Sequence, residues 1–189
     1  MIRRFSFEEL PLKGAWRITP FRAEDSRGAF VKDWSDEAFA QAGIVHPLKE
    51  VFYTYSRKGV VRAIHFQETK EQPKLVRCIS GRIWDAIVDL RRDSPTYRRW
   101  LGFFLDGGTG DELLVPAGFG HGYLVLEDSV VSYKCSENFR AEYDTGIRWD
   151  DPDLAVGWPL DEIGGKGNVV LSEKDMSLRS FAKWERGEE

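Results

Sequence analysis

The stretch Lys74-Leu-Val-Arg-Cys-Ile79, then Ser80-Gly81, then Arg82-Ile-Trp-Asp-Ala-Ile-Val-Asp-Leu90 decides how this chain folds. Two runs rich in apolar and β-branched residues, parted by a Ser-Gly pair, predict two strands joined by a turn. The same rhythm extends in both directions. A strand is predicted at 60–67 before it, and further strands at 100–105, 112–115, 122–126 and 130–135 after it. Asp93-Ser-Pro95, Asp106-Gly-Gly108, Pro116-Ala-Gly118 and Glu127-Asp128 punctuate the gaps with the residues that turns favour. Helical signals are few. Ser35-Asp-Glu-Ala-Phe-Ala-Gln-Ala-Gly43 has an N-cap serine, an acidic first turn and a glycine stop, and Ser172-Glu-Lys-Asp175 offers a capping pattern. Many short strands without alternating helices predict an all-β fold, a double-sheet jelly roll with a few short helices. The 189 residues, free of repeats and linkers, fit one domain spanning 1–189.

Composition narrows the function classes. Hydrophobic residues at 42% and charged residues at 31% are those of an ordinary globular chain. A net charge of −4 argues against general binding to nucleic acid or to an anionic membrane, so any anionic ligand must be held by a local cluster of Arg and Lys. No apolar run reaches the roughly 18–20 residues that span a bilayer. The opening residues, MIRRFSFEELPL, have no apolar core of a secretory signal. Cys78 and Cys135 lie within strand-like segments and are expected to be reduced, which suits the cytoplasm.

The chain has only three histidines, His46, His65 and His121. Strand alternation places Val61, Ala63, His65 and Gln67 on one face, and Arg62 on the other. Lys74 opens an apolar strand; it either snorkels or points inward to stabilise an oxyanion. Tyr133 is either a structural buried phenol or a general acid. Asp151, in Trp149-Asp-Asp-Pro152, either caps a turn or holds His65 in one tautomer. Taken singly, each of these three favours the plain structural role.

The spacing Gly59-x5-His65-x-Gln67, followed by Gly110-x5-Pro116-x-Gly118-x2-His121, resembles the two motifs of the cupin superfamily. Gln67 stands where metal-binding members have a second histidine, so no metal is expected. The longer pieces Asp25-Ser-Arg-Gly28, Lys58-Gly-Val-Val-Arg-Ala-Ile-His-Phe-Gln67, Ser94-Pro-Thr96, Val115-Pro-Ala-Gly-Phe-Gly-His-Gly122, Tyr133-Lys134 and Ile147-Arg-Trp-Asp-Asp-Pro152 together resemble the dTDP-4-dehydrorhamnose 3,5-epimerase family. The resemblance implies a cofactor-free cupin homodimer that epimerises C3 and/or C5 of a nucleotide-diphosphate 4-keto-6-deoxy sugar. It further implies His65 with Asp151 as the base pair, Tyr133 as the acid, and Lys74 as the enolate's support. Arg27, Arg62 and His121 match positions that line the substrate site. The chemistry agrees. A proton α to a ketone becomes acidic when the enolate is stabilised, a neutral imidazole is a suitable base, and inversion needs a donor on the opposite face.

Three departures bear on the substrate. Where the family has a Gln-x-Asn-x-Ser-x-Ser run, this chain has Glu50-Val-Phe-Tyr-Thr-Tyr-Ser56, so Glu50 and Phe52 replace amides that would face the sugar. Loss of an amide there favours a less hydroxylated sugar. Lys32 replaces a frequent glutamate; a donor facing the base favours cytosine over thymine, and so CDP over dTDP. The competing readings are a cofactor-free cupin 3,4-ketoisomerase and a non-catalytic or metal-binding cupin.

Overall fold

The computed structural model describes residues 1–188. Twelve strands run β1 (Ile2–Arg3), β2 (Ser6–Glu9), β3 (Trp16–Thr19), β4 (Phe21–Asp25), β5 (Gly28–Lys32), β6 (Glu50–Ser56), β7 (Val61–Gln67), β8 (Lys74–Asp89), β9 (Trp100–Asp106), β10 (Glu112–Val115), β11 (Phe119–Cys135) and β12 (Asp144–Gly146). Three short helices accompany them: α1 (Asp36–Gln41), α2 (Glu173–Ser177) and α3 (Phe181–Arg186), with 3₁₀ turns at Leu160–Ile163 and Lys166–Asn168. No helix among the described residues is long and apolar enough to cross a membrane.

The all-β expectation holds, but the jelly roll does not. The main sheet runs β12-β7-β11-β8-β10-β3-β2, with β6 also on β11 and β9 also on β8, and it does not close into a barrel. A separate three-stranded sheet has the order β1-β4-β5. The physical reason lies in two strands that sequence reading divides. β8 is one strand of 16 residues and β11 one of 17. Ser80-Gly81 and Glu127-Asp128 are bends within them, not turns between them. The two strands pair antiparallel from Phe119–Asp89 to Cys135–Lys74, with register shifts between Val125 and Val131. Such irregularities bend a strand without ending it. Gly81 is required at the bend: it has φ +77°, and a Cβ there would meet the Asp128 carbonyl oxygen at 2.2 Å.

The bend gives each long strand two halves. β6 and β10 flank the 129–135 and 74–77 segments, whereas β7 and β9 flank the 121–124 and 82–88 segments. Residues of both halves share one apolar cluster, including Val76, Cys78, Ile83, Ile87, Tyr123, Val131 and Tyr133. The outer face of the first half is covered by Phe39 of α1, packed with Ile18, Leu75 and Leu114. The outer face of the second half is covered by the C-terminal segments, through Trp149, Trp158, Ile163 and Phe181.

One polar hub fixes the end of β8. The fully buried Asp89 carboxylate accepts from the Arg91 guanidinium, Ser94 Oγ and Thr96 Oγ1, the last two at 2.6 Å. Burial alone would raise its pKa, but these donors win and hold it at about 2. A carboxyl depressed on folding stabilises above its unfolded pKa and loses that contribution as pH falls through the folded one. We therefore expect Asp89→Asn to lower stability by about 1–2 kcal/mol at neutral pH, discounted for the solvent near the turn. In urea unfolding the gap to wild type should stay constant above about pH 5 and close as pH falls toward 2. A gap independent of pH would contradict this assignment.

Candidate active site

A cavity of about 510 Å³ opens where the bent strands and β6 meet, lined by Glu50, Phe52, Thr54, Arg62, His65, Gln72, Lys74, His121, Tyr133, Phe139 and Asp144. This size suits a sugar-sized ligand. Strand alternation explains the contribution of β6. Glu50, Phe52 and Thr54 face inward, while Val51, Tyr53 and Tyr55 are exposed. Alternation fails on β7. His121 pairs with His65 but Tyr123 pairs with Arg62, a slip of one residue. The slip brings Arg62 onto the His65 side, so both line the cavity, contrary to the regular-strand expectation. Arg62 Nε donates to Ser56 Oγ at 3.1 Å.

His65 is bonded to Asp175, not to Asp151. Its Nε2 lies 2.5 Å from Asp175 Oδ1. Asp175 sits in the first turn of α2, where its backbone N donates to the Ser172 side chain and its Oδ2 accepts from Ser172 Oγ. Burial opposes ionisation of Asp175, but the bonds from His65 and Ser172 prevail and lower its pKa. An ionised carboxylate accepts only, so Nε2 carries the proton and Nδ1 is left as the basic nitrogen. Asp151 is buried elsewhere. Its carboxylate accepts from the backbone N–H groups of Asp153, Leu154 and Phe181, tying the 151–154 turn to α3.

A second buried pair stands beside the first. His121 Nε2 is 2.8 Å from Asp85 Oδ2, with both residues almost wholly buried. Burial raises the Asp85 pKa, opposed by His121 and Lys74. Lys74 lies in the same field: burial lowers its pKa, whereas Cys135, Asp144 and Asp85 favour its charged form. Tyr133 stacks on Phe52, with centroids 4.7 Å apart and planes 12° apart, and meets the His121 ring edge-on. Burial first, then Tyr123 and Asp85, push its pKa well above the usual 10, so it stays a protonated donor. Glu50 accepts from Gln72 Nε2 and from the Phe139 backbone N–H, which fixes the cavity's rim.

Arg27 and Lys32 do not reach this cavity. They belong to the β4–β5 hairpin, and the Arg27 side chain is 88% exposed and paired with Asp25. His46 is a core histidine, with Nε2 2.9 Å from the Lys134 carbonyl oxygen. Among the described residues no three or more His, Cys, Asp or Glu side chains are grouped to hold a metal ion.

Sequence reasoning passed over Asp85 and Asp175. Both had signals: Asp85 interrupts an otherwise apolar strand, where a buried carboxylate must find a partner, and Asp175 completes the capping pattern begun by Ser172. We expect Asp175→Ala to lower kcat roughly 10²- to 10⁴-fold while the thermal midpoint moves little. Asp151→Ala should instead cost about 2–4 kcal/mol of stability. The reverse pattern would return the His65 partnership to Asp151.

Comparison with known proteins places this geometry in a family. The family model described as dTDP-4-dehydrorhamnose 3,5-epimerase matches residues 9–183. A dTDP-4-dehydrorhamnose 3,5-epimerase of Methanothermobacter thermautotrophicus is 41% identical over 176 residues, covering 93% of this chain and 94% of that one. The epimerase structure from Mycobacterium tuberculosis superposes with a TM-score of 0.90 at 38% identity, covering 96% of this chain and 91% of the other. A Legionella pneumophila epimerase solved with dTDP-4-keto-L-rhamnose gives 0.87 at 31% identity, with 94% and 93% covered. The chain belongs to the dTDP-4-dehydrorhamnose 3,5-epimerase family, a family of nucleotide-sugar isomerases.

Proposed function

We propose that this chain epimerises C3 and/or C5 of a nucleotide-linked 4-keto-6-deoxyhexose, by deprotonation and reprotonation through an enolate. The observation that carries the reading is the single cavity holding a carboxylate-oriented imidazole, a lysine and a buried protonated phenol. His65 Nδ1 takes the proton α to the ketone, and Asp175 stabilises the imidazolium that forms. Lys74, protonated, faces the charge that develops on the C4 oxygen, where a desolvated site makes that interaction strong. Tyr133 returns a proton from the opposite face. Arg62 and His121 bind and orient the substrate, and Phe52 and Glu50 shape the sugar end. The 3,4-ketoisomerase reading leaves Tyr133 without a task. Inversion at one centre only is a form of the same chemistry, as in the Streptomyces bikiniensis 3'-monoepimerase, whose structure matches with a TM-score of 0.86 at 32% identity.

For Arg27 and Lys32 to meet substrate, they must do so in a second copy, because they lie outside their own chain's cavity. We therefore read the protein as a homodimer whose β4–β5 hairpin serves the neighbouring cavity, with Arg27 on the diphosphate. The dTDP-bound relatives favour dTDP as the nucleotide, and the case for CDP rests on Lys32 alone. Two buried free cysteines fit a reducing, cytoplasmic setting, and the acidic charge disfavours nucleic-acid or membrane partners.

Proton NMR of a dTDP-4-keto-6-deoxyhexose in D2O tests the reading. Wild type should place deuterium at C3, C5 or both, and His65→Ala at neither. No incorporation with wild type would sink the assignment. Arg27→Ala should raise KM about tenfold or more while the protein elutes as a dimer. An unchanged KM would remove the hairpin from the site.

A further inference from the structure

The carboxylate that orients His65 is carried by a very short element. α2 has five residues, little more than one turn, and a helix of that length does not hold its shape unaided. Glu173, Lys174, Met176 and Ser177 are exposed, so Asp175 is the one residue of α2 that is buried. The chain is tied on either side, by a bridge between Val170 and Val60 and another between Arg179 and Ile147. Between these ties Asp175 must stay within hydrogen-bond distance of His65, and α2 has no apolar face of its own to keep it there.

The neighbouring strand supplies the hold. β12 pairs with β7 so that Gly146 lies opposite His65 and Asp144 opposite Gln67. Opposed residues, and residues two apart, share a sheet face. Asp144 therefore stands on the His65 side, where it lines the cavity. A Cβ at Gly146 would meet Leu178 Cδ1 at 3.0 Å and His65 Cδ2 at 3.2 Å, so the bare glycine lets the end of α2 and the imidazole close on the strand. Lys174, the residue before Asp175, donates from Nζ to Asp144 Oδ2. Its side chain is 50% exposed, that of Asp144 15%, and a pair this open to water contributes little to folding. Its placement matters more than its strength. It closes a ring that runs from His65 to Asp175 by a hydrogen bond, to Lys174 along the chain, to Asp144 by the ion pair, and along β12 to Gly146 beside His65.

We propose that Lys174 is a positioning residue that clamps α2 to β12 through Asp144 and so holds Asp175 against His65. The clamp rests on the reading of His65 as the base. Lys174 is not among the residues lining the cavity; it acts through Asp175 and does not touch the reacting carbon. A displacement of about 1 Å in such an alignment can slow a reaction on the order of a hundredfold.

Deuterium exchange into a dTDP-4-keto-6-deoxyhexose in D2O, followed by proton NMR, reads the step that His65 performs. Lys174→Met keeps much of the aliphatic stem and removes the ammonium. It should lower kcat for exchange on the order of tenfold, with KM and the thermal midpoint nearly unchanged, and Lys174→Arg should restore most of the rate. The deciding comparison is made in the Asp175→Ala background. There Lys174→Met should leave the remaining rate unchanged to within about twofold, because the group it positions is gone. An equal loss in both backgrounds overturns the clamp, as does a wild-type kcat in Lys174→Met. A raised KM with kcat intact also overturns it, and assigns Lys174 to substrate binding. No exchange in wild type overturns instead the epimerase reading beneath it.

Discussion

The antiparallel pairing of β8 with β11, continuous from Phe119–Asp89 to Cys135–Lys74, is the constraint on which the rest depends. Hydrogen bonds along two such long strands fix the register of everything attached to them. The bend at Gly81 and between Val125 and Val131 lets the pair serve two half-sheets and one shared core. Lys74, Asp85, His121, Tyr123 and Tyr133 all hang from this pair, although 59 residues separate Lys74 from Tyr133 in sequence. A slip of one residue would send each side chain to the opposite face, so the register sets the chemistry as well as the stability.

The cavity's electrostatics follow from burial. Asp85 and Asp175 are carboxylates withdrawn from water, and each holds a histidine. The two pairs differ in access. His65 is 29% exposed in its side chain and opens on the cavity, whereas His121 is 5% exposed and sits deeper, against the tyrosines. An accessible, oriented imidazole is suited to taking a proton, and a deeply buried one to holding position. The same withdrawal from water keeps Tyr133 protonated, so one physical cause leaves the phenol a donor and strengthens the bonds that orient the imidazole.

Much of the site was legible from residues. The strand stretches follow from composition and turn signals and His65 from motif spacing, whereas Lys74, open between two roles, and the β6 departures Glu50 and Phe52 are drawn to the site by the family resemblance; the structure brings all four side chains to one cavity. What escaped did so for physical reasons. Ser80-Gly81 and Glu127-Asp128 carry turn chemistry, and only the partner strand reveals that they are bends within longer strands. Arg62 reaches the cavity through a register slip that no local pattern announces. Asp175 and Asp151 lie 24 positions apart, both beyond the strands, and only the path of the C-terminal segments decides which one meets His65. The hairpin carrying Arg27 and Lys32 stands apart from the cavity of its own chain, a separation that matching motifs along the sequence does not reveal.

The central claim is that proton removal and proton return are divided between two residues on opposite sides of one cavity. Tyr133→Phe, followed by proton NMR in D2O, tests it most directly, because the substitution keeps the stacked ring and removes only the acid. The account predicts deuterium entering the carbon beside the ketone while inversion at that carbon is lost. Inversion at the wild-type rate would contradict it.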